Sequence, residues 1–263
     1  MTPSYIVEGP QDAPVLLLSN SIGSTRELWT RQVEAFSRSF RLIRSDTRGH
    51  GESSVPPGDY SIDQLGADVL ALLDAAGAPS AHICGISLGG ITGMWLAVHA
   101  PDRVSSLVLA NTASRIGTLE SWAERIALVR DQGMTGVANR AMLTWFSPEF
   151  RERDPETART FHTMLQGCSP QGYLGCCAAL RDADLRGEIR AIQCPTLVIA
   201  GSMDVATTPE QAEFTRSQIA GARLVTLDSA HLSNVAEAER FNEAVLEFLR
   251  AQKSGPRAQS RNL

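Results

Sequence analysis

Long apolar runs are missing from the chain. No stretch nears the roughly 18 residues that a membrane-spanning helix needs, so no span is expected. The first residues, Met1-Thr2-Pro3-Ser4, have neither the charged nor the apolar region of a signal peptide. A basic excess is missing too: 24 Lys and Arg stand against 29 Asp and Glu, a formal net charge of −5. That balance leaves no footprint for nucleic acid or for an anionic membrane, and an anionic small molecule would have to be met locally by a few arginines. Cysteine is scarce. The five (Cys84, Cys168, Cys176, Cys177, Cys194) are odd in number and lack metal-site spacing. Adjacent cysteines such as Cys176-Cys177 make a poor disulfide, so reduced thiols in a cytoplasmic protein are expected. Nothing in the chain asks for a metal or another cofactor.

What is there is a globular composition, 43% hydrophobic and 20% charged over 263 residues. That suffices for one large α/β domain, or for a core with an insertion. Tyr5-Ile6-Val7 is short and β-like. Val15 to Leu18 is a continuous apolar run, as a strand buried on both faces should be. The loop Ser19-Asn20-Ser21-Ile22-Gly23 follows, then helical spacing from Leu28 to Phe36, then a strand over Phe40–Arg44 that enters Asp46-Thr47-Arg48-Gly49-His50-Gly51. Ser61 and Gln64 read as a capping box ahead of the stripe Ile62, Leu65, Val69, Leu72, Leu73, which Gly77 stops. Val104 to Ala110 is another apolar strand. Strands alternating with helices predict a mostly parallel sheet with helices on both faces.

The alternation breaks at Asn111. From Thr118 to Glu188 only helical patterns follow: Thr118–Gln132 with Gly133 as its stop, then Gly136–Thr144, Pro155–Leu165 and Pro170–Arg181. This predicts a helical cap over residues 115–190, set between core segments 1–114 and 191–252 and lying over the open strand ends where such sheets bind ligands. The core resumes with a strand over Pro195–Ala200, a helix over Pro209–Ile219, a strand over Ala222–Leu227 and a closing helix marked by Phe241, Val245, Phe248 and Leu249. The polar residues 253–263 read as a disordered tail.

The stretch with the densest chemistry is Ala81-His82-Ile83-Cys84-Gly85-Ile86-Ser87-Leu88-Gly89-Gly90. An apolar strand, Gly-x-Ser-x-Gly and a helical pattern together have the grammar of a nucleophile elbow. Ser87 would sit on a strained turn, with Gly85 and Gly89 flanking it where a Cβ would collide with a neighbouring element. The Leu88 N–H, at a helix N-terminus, would face an oxyanion beside Ser87. Such a serine needs a base, and the base needs an orienting carboxylate. His231 and Asp204 each lie just past a predicted strand, and the order Ser87, Asp204, His231 is that of nucleophile, acid and base in this grammar. His50 is a rival base in a Gly-rich loop. Asp228, three residues before His231, is a rival acid. A non-catalytic binding protein on the same fold is the alternative outside the enzymes.

The elbow, the strand-end triad and the inserted cap resemble the α/β-hydrolase superfamily over nearly the whole chain. Within it, five segments are similar to 3-oxoadipate enol-lactonases: Leu18-Ser19-Asn20-Ser21-Ile22-Gly23, where most relatives carry His-Gly; Asp46 to Gly51; Asn111 to Gly117; Trp145-Phe146; and Gly172 to Leu180. The resemblance implies hydrolysis of an anionic lactone from aromatic-ring catabolism, giving 3-oxoadipate, without a cofactor and through an acyl-enzyme on Ser87. It makes the Ile22 N–H the second oxyanion donor beside Leu88. It also implies that the family's first edge strand is missing, so that Tyr5-Ile6-Val7 becomes a short exposed edge. The substrate carboxylate calls for a cation, for which Arg115 at the cap entry is the candidate, with Trp145 and Tyr173 as cap walls. A general carboxylesterase or perhydrolase on the same triad is the competing enzyme class, and the chain's oligomeric state is left open.

Overall fold

Three segments, Val15–Ser19, Val104–Ala110 and Thr196–Gly201, are almost continuously apolar because each is an interior strand with neighbours on both edges. The computed structural model describes residues 1–253; the rest of the polar tail, 254–263, lies outside the described residues. Among these, seven strands form one sheet: β1 Tyr5–Glu8, β2 Val15–Ser19, β3 Arg41–Ser45, β4 Ala81–Ile86, β5 Val104–Ala110, β6 Thr196–Gly201 and β7 Arg223–Leu227. Their order is β1-β3-β2-β4-β5-β6-β7. β1 runs antiparallel to β3 and every other pair is parallel. As expected, the edge strand β1 is short, and Val7 on it is exposed. From β2 the chain steps one way to β3, and from β4 it steps the other way to β5. The reversal puts a topological switch point between the C-terminal ends of β2 and β4, where open α/β sheets bind ligands.

The helices are α1 Thr30–Ser37, α2 Ile62–Ala75, α3 Leu88–His99, α4 Leu119–Trp145, α5 Pro148–Arg153, α6 Pro155–Gln166, α7 Pro170–Asp182, α8 Pro209–Gln218, α9 Ser233–Ala236 and α10 Ala238–Lys253. The Ser61–Gln64 capping box opens α2 as its sequence predicts, and Gly77 follows its end at φ 63°. α1 packs against α10 and α2 against α3, and each presents apolar side chains to the core. No helix among the described residues is long and apolar enough to cross a membrane.

Between β5 and β6 the chain is helical throughout, α4 to α7. Gly133 leaves helical geometry (φ 62°, ψ −162°), so the span α4, Leu119–Trp145, is two helices meeting at a break there, and Gly133 stops the first of them as its sequence predicts. The short α5 is an element the apolar spacing did not announce; Ser147 caps it and Pro148 opens it. Backbone contacts tie this helical segment to the core. Tyr60 N–H donates to Gly175 C=O at 3.1 Å and Leu185 N–H to Ser114 C=O at 2.8 Å. A Cβ on Gly172 would lie 2.1 Å from the Gly49 carbonyl oxygen, so two glycines let α7 touch the loop after β3.

Candidate active site

Ser87 follows β4 and caps α3 at φ 55°, ψ −116°, a conformation few L residues adopt. Its surroundings hold it there. Ser87 N–H donates to Ala110 C=O at 3.1 Å, and Thr112 Oγ1 donates to Ser87 C=O at 2.7 Å. A Cβ on Gly85 would meet Gly89 O at 2.2 Å, and one on Gly89 would meet Ser19 O at 2.2 Å, so both flanking glycines are required by the close packing of turn, helix and strand.

Behind the elbow, His231 and Asp204 come from the loops after β7 and β6. Both are buried, and His231 Nδ1 lies 2.9 Å from Asp204 Oδ2. The same oxygen accepts from Asn111 Nδ2 at 3.0 Å and Thr207 Oγ1 at 2.8 Å, while Oδ1 accepts the amides of Ala206 and Thr207 at 2.8 and 3.1 Å. Burial alone would raise this carboxyl's pKa. The charge and hydrogen bond of His231, then the Thr207 amide and the Asn111 side chain, outweigh burial and lower it to about 2. An ionised carboxylate can only accept, so Nδ1 carries the proton of that bond, and in the neutral ring the lone pair is on Nε2. The His231 backbone is held from the other side, its N–H donating to Thr144 C=O at 3.3 Å, while Leu232 N–H donates to Trp145 C=O at 3.1 Å. The rivals are placed elsewhere. Asp228 is exposed and accepts from Ser202 Oγ at 3.0 Å. His50 is buried with Nδ1 facing Arg48 C=O and Nε2 accepting from Gly23 N–H at 2.9 Å, a structural link that fixes the loop after β2.

That loop carries Ile22. Asn20 locks it three ways: Nδ2 donates to Ser45 C=O at 2.7 Å, Oδ1 accepts Trp29 Nε1–H at 2.9 Å, and the Asn20 carbonyl accepts Gly89 N–H at 2.8 Å. Among the described residues neither the Ile22 nor the Leu88 N–H has a protein acceptor, so both are available to a ligand.

Ser87, His231, Ile22, Trp145 and Tyr173 line one cavity of about 290 Å³. Trp145 and Tyr173, the residues the sequence offered as cap walls, are both on this lining. Trp145 meets the Phe161 ring edge-on at a centroid distance of 6.3 Å. Arg115 does not reach this cavity. Its guanidinium pairs with Asp184 at 2.9 Å and it lines a separate surface groove, while the next two residues, Ile116 and Gly117, do line the cavity. The cations on the cavity lining are Arg125 and Arg140, one on each arm of the kinked α4. Among the described residues neither forms an ion pair, and Arg125 donates to Tyr173 Oη at 3.2 Å. Sequence reasoning missed both, because a helix's arginines read as a solvated face until the kink is known. It also missed Asn111, whose signal was an Asn directly after a strand: at φ 42° it needs a residue that tolerates left-handed backbone.

Comparison with known proteins agrees with this architecture. Residues 14–238 match the model of the alpha/beta hydrolase fold. 3-Oxoadipate enol-lactonase 2 of Acinetobacter baylyi is 45% identical over 243 residues, 92% of this chain and 91% of that protein. The crystal structure of the enol-lactonase from Burkholderia xenovorans LB400 superposes with a TM-score of 0.93 at 41% identity, covering 94% of this chain and 96% of that one. A hydrolase from Pseudomonas aeruginosa PA01 superposes with a TM-score of 0.91 at 48% identity, over 93% of each chain. The chain belongs to the α/β-hydrolase family, and within it falls with proteins named 3-oxoadipate enol-lactonase.

Proposed function

We propose that this protein hydrolyses 3-oxoadipate enol-lactone to 3-oxoadipate in the catabolism of aromatic compounds, with Ser87 as nucleophile, His231 as base and Asp204 as its orienting acid. The observation that carries the reading is the convergence on one cavity of the Ser87 turn, the Asp204-held His231 and two arginines that have no carboxylate partner among the described residues. His231 Nε2 takes the Ser87 proton as Oγ attacks the lactone carbonyl. The Ile22 and Leu88 amides hold the oxyanion, each worth about 3 kcal/mol in the transition state. The ester C–O bond breaks and the ring oxygen leaves as an enol, taking the proton from the His231 imidazolium. It stays tethered to the acyl-enzyme, and its tautomerisation to the ketone removes the nucleophile that would close the ring again. Water activated by His231 then releases the acid.

In this reading Arg125 and Arg140 take the carboxylate role that the sequence assigned to Arg115, with Trp145 and Tyr173 as apolar walls. Residues 115–190 act as the cap over the strand ends, and the loop bearing His231 rests on it through Thr144 and Trp145. Five free thiols fit a reducing compartment and hence a cytoplasmic location. The test is turnover of the enol-lactone by the wild type and by Ser87→Ala. The wild type opens the ring. The variant loses kcat by about 10⁶-fold, the scale at which serine nucleophiles are missed; a variant with wild-type turnover removes Ser87 from the chemistry.

A further inference from the structure

We infer that the Ser21 hydroxyl is a third donor to the oxyanion formed at Ser87, beside the Ile22 and Leu88 amides, an inference that rests on Ser87 being the nucleophile. Ser21 is 1% exposed, and its Oγ has no hydrogen-bond partner among the described residues. Buried hydroxyls are almost always paired, so an orphan needs a reason. Of the buried side-chain atoms that have no partner among the described residues, Ser21 Oγ belongs to the one residue that also lines the Ser87 cavity.

The loop after β2 is set against the start of α3, Gly89 N–H donating to Asn20 C=O at 2.8 Å, and this brings Ser21 onto the same cavity lining as Ser87. The backbone at Ser21 is engaged, its carbonyl accepting both the N–H and the Oγ–H of Ser24 at 3.3 and 2.7 Å, while Asn20 anchors the residue before it. The loop is therefore fixed while the hydroxyl is uncommitted, which is the condition for a preorganised donor. A carbonyl oxygen turning into an oxyanion on Ser87 offers the acceptor that Oγ–H lacks. The hydroxyl keeps its proton throughout, and no bond to Ser21 forms or breaks.

The experiment uses Ser21→Ala and Ser21→Gly in the full chain with three readouts: kcat and KM on the enol-lactone, the rate of Ser87 phosphonylation by a fluorophosphonate, and the thermal midpoint. The probe's P=O needs the same donors whatever the natural substrate is. Each variant should lower both kcat and the phosphonylation rate about 10-fold or more, leave KM within about twofold, and keep or raise the thermal midpoint, because an unpaired buried hydroxyl adds no stability. Rates within about twofold of wild type, or losses that come only with a fall in the midpoint, overturn the inference. If the probe labels the wild type and labels Ser21→Ala equally fast, this inference alone fails. If it leaves the wild type unlabelled, the nucleophile reading fails and this one with it.

Discussion

Asp204 holds a negative charge in a buried site because five donors converge on its two oxygens. Putting asparagine in its place swaps an acceptor for an amide whose N–H₂ faces Nδ1, which drives the imidazole proton to Nε2 and blocks the base. Asp204→Asn is expected to lower kcat about 10⁴-fold with the fold intact, measured by turnover alongside circular dichroism. The pH dependence follows from the same carboxylate. Its folded value of about 2 lies below the ordinary 3.8, so its contribution, about 2 kcal/mol, is present in full above pH 4 and lost as pH falls towards 2. Denaturant unfolding at pH 6 and at pH 3 should show this acid-sensitive share in the wild type and its absence in Asp204→Asn. The three residues Ser87, Asp204 and His231 were legible because each sits where a strand pattern ends, and strand ends can be found from apolar runs alone. Arg115 misled because it too follows a strand. Nothing in residue type says that Asp184, 69 positions on, will claim its guanidinium.

At the scale of elements, what positions the site is backbone packed against backbone. α7 reaches the core through Gly172 on Gly49, and a methyl group on Gly172 has only carbonyl and Cα atoms to push against. Gly172→Ala should therefore destabilise the protein by about 1–3 kcal/mol, read as a lower urea midpoint with an unchanged slope. A fall below a few tenths of a kcal/mol would mean that α7 can ride up without cost. Strands and the capped helix α2 were readable because periodicity and the Ser61–Gln64 pair are local signals. The kink of α4 was half readable. Gly133 marks a break, but whether the next turn continues or reverses depends on tertiary packing, here with α6 and α7. α5 is six residues long, too short for apolar spacing to declare itself, and it is held by the Ser147 cap instead.

For the whole molecule, the proposed reading reconciles a net charge of −5 with an anionic substrate by placing on one cavity two arginines that, among the described residues, have no carboxylate partner. The sheet topology put that cavity at the switch point, and the alternation of strands and helices was enough to expect as much. The side of the kinked helix that would face it was not, so the cations could not be named from sequence. Arg125→Gln and Arg140→Gln, singly and together, should raise KM for the lactone while leaving turnover of a neutral ester within about twofold, since a charge–carboxylate hydrogen bond matters only where a carboxylate is present. The most direct measurement is kcat/KM on 3-oxoadipate enol-lactone against kcat/KM on p-nitrophenyl acetate, in the wild type and in the double arginine variant. A preference for the lactone of about 10³-fold or more that collapses in the variant is the predicted result, the scale a site built to pair a buried charge can reach. A neutral ester turned over as well as the lactone, with the variant indifferent, would contradict the account and mark the cavity as that of a general esterase.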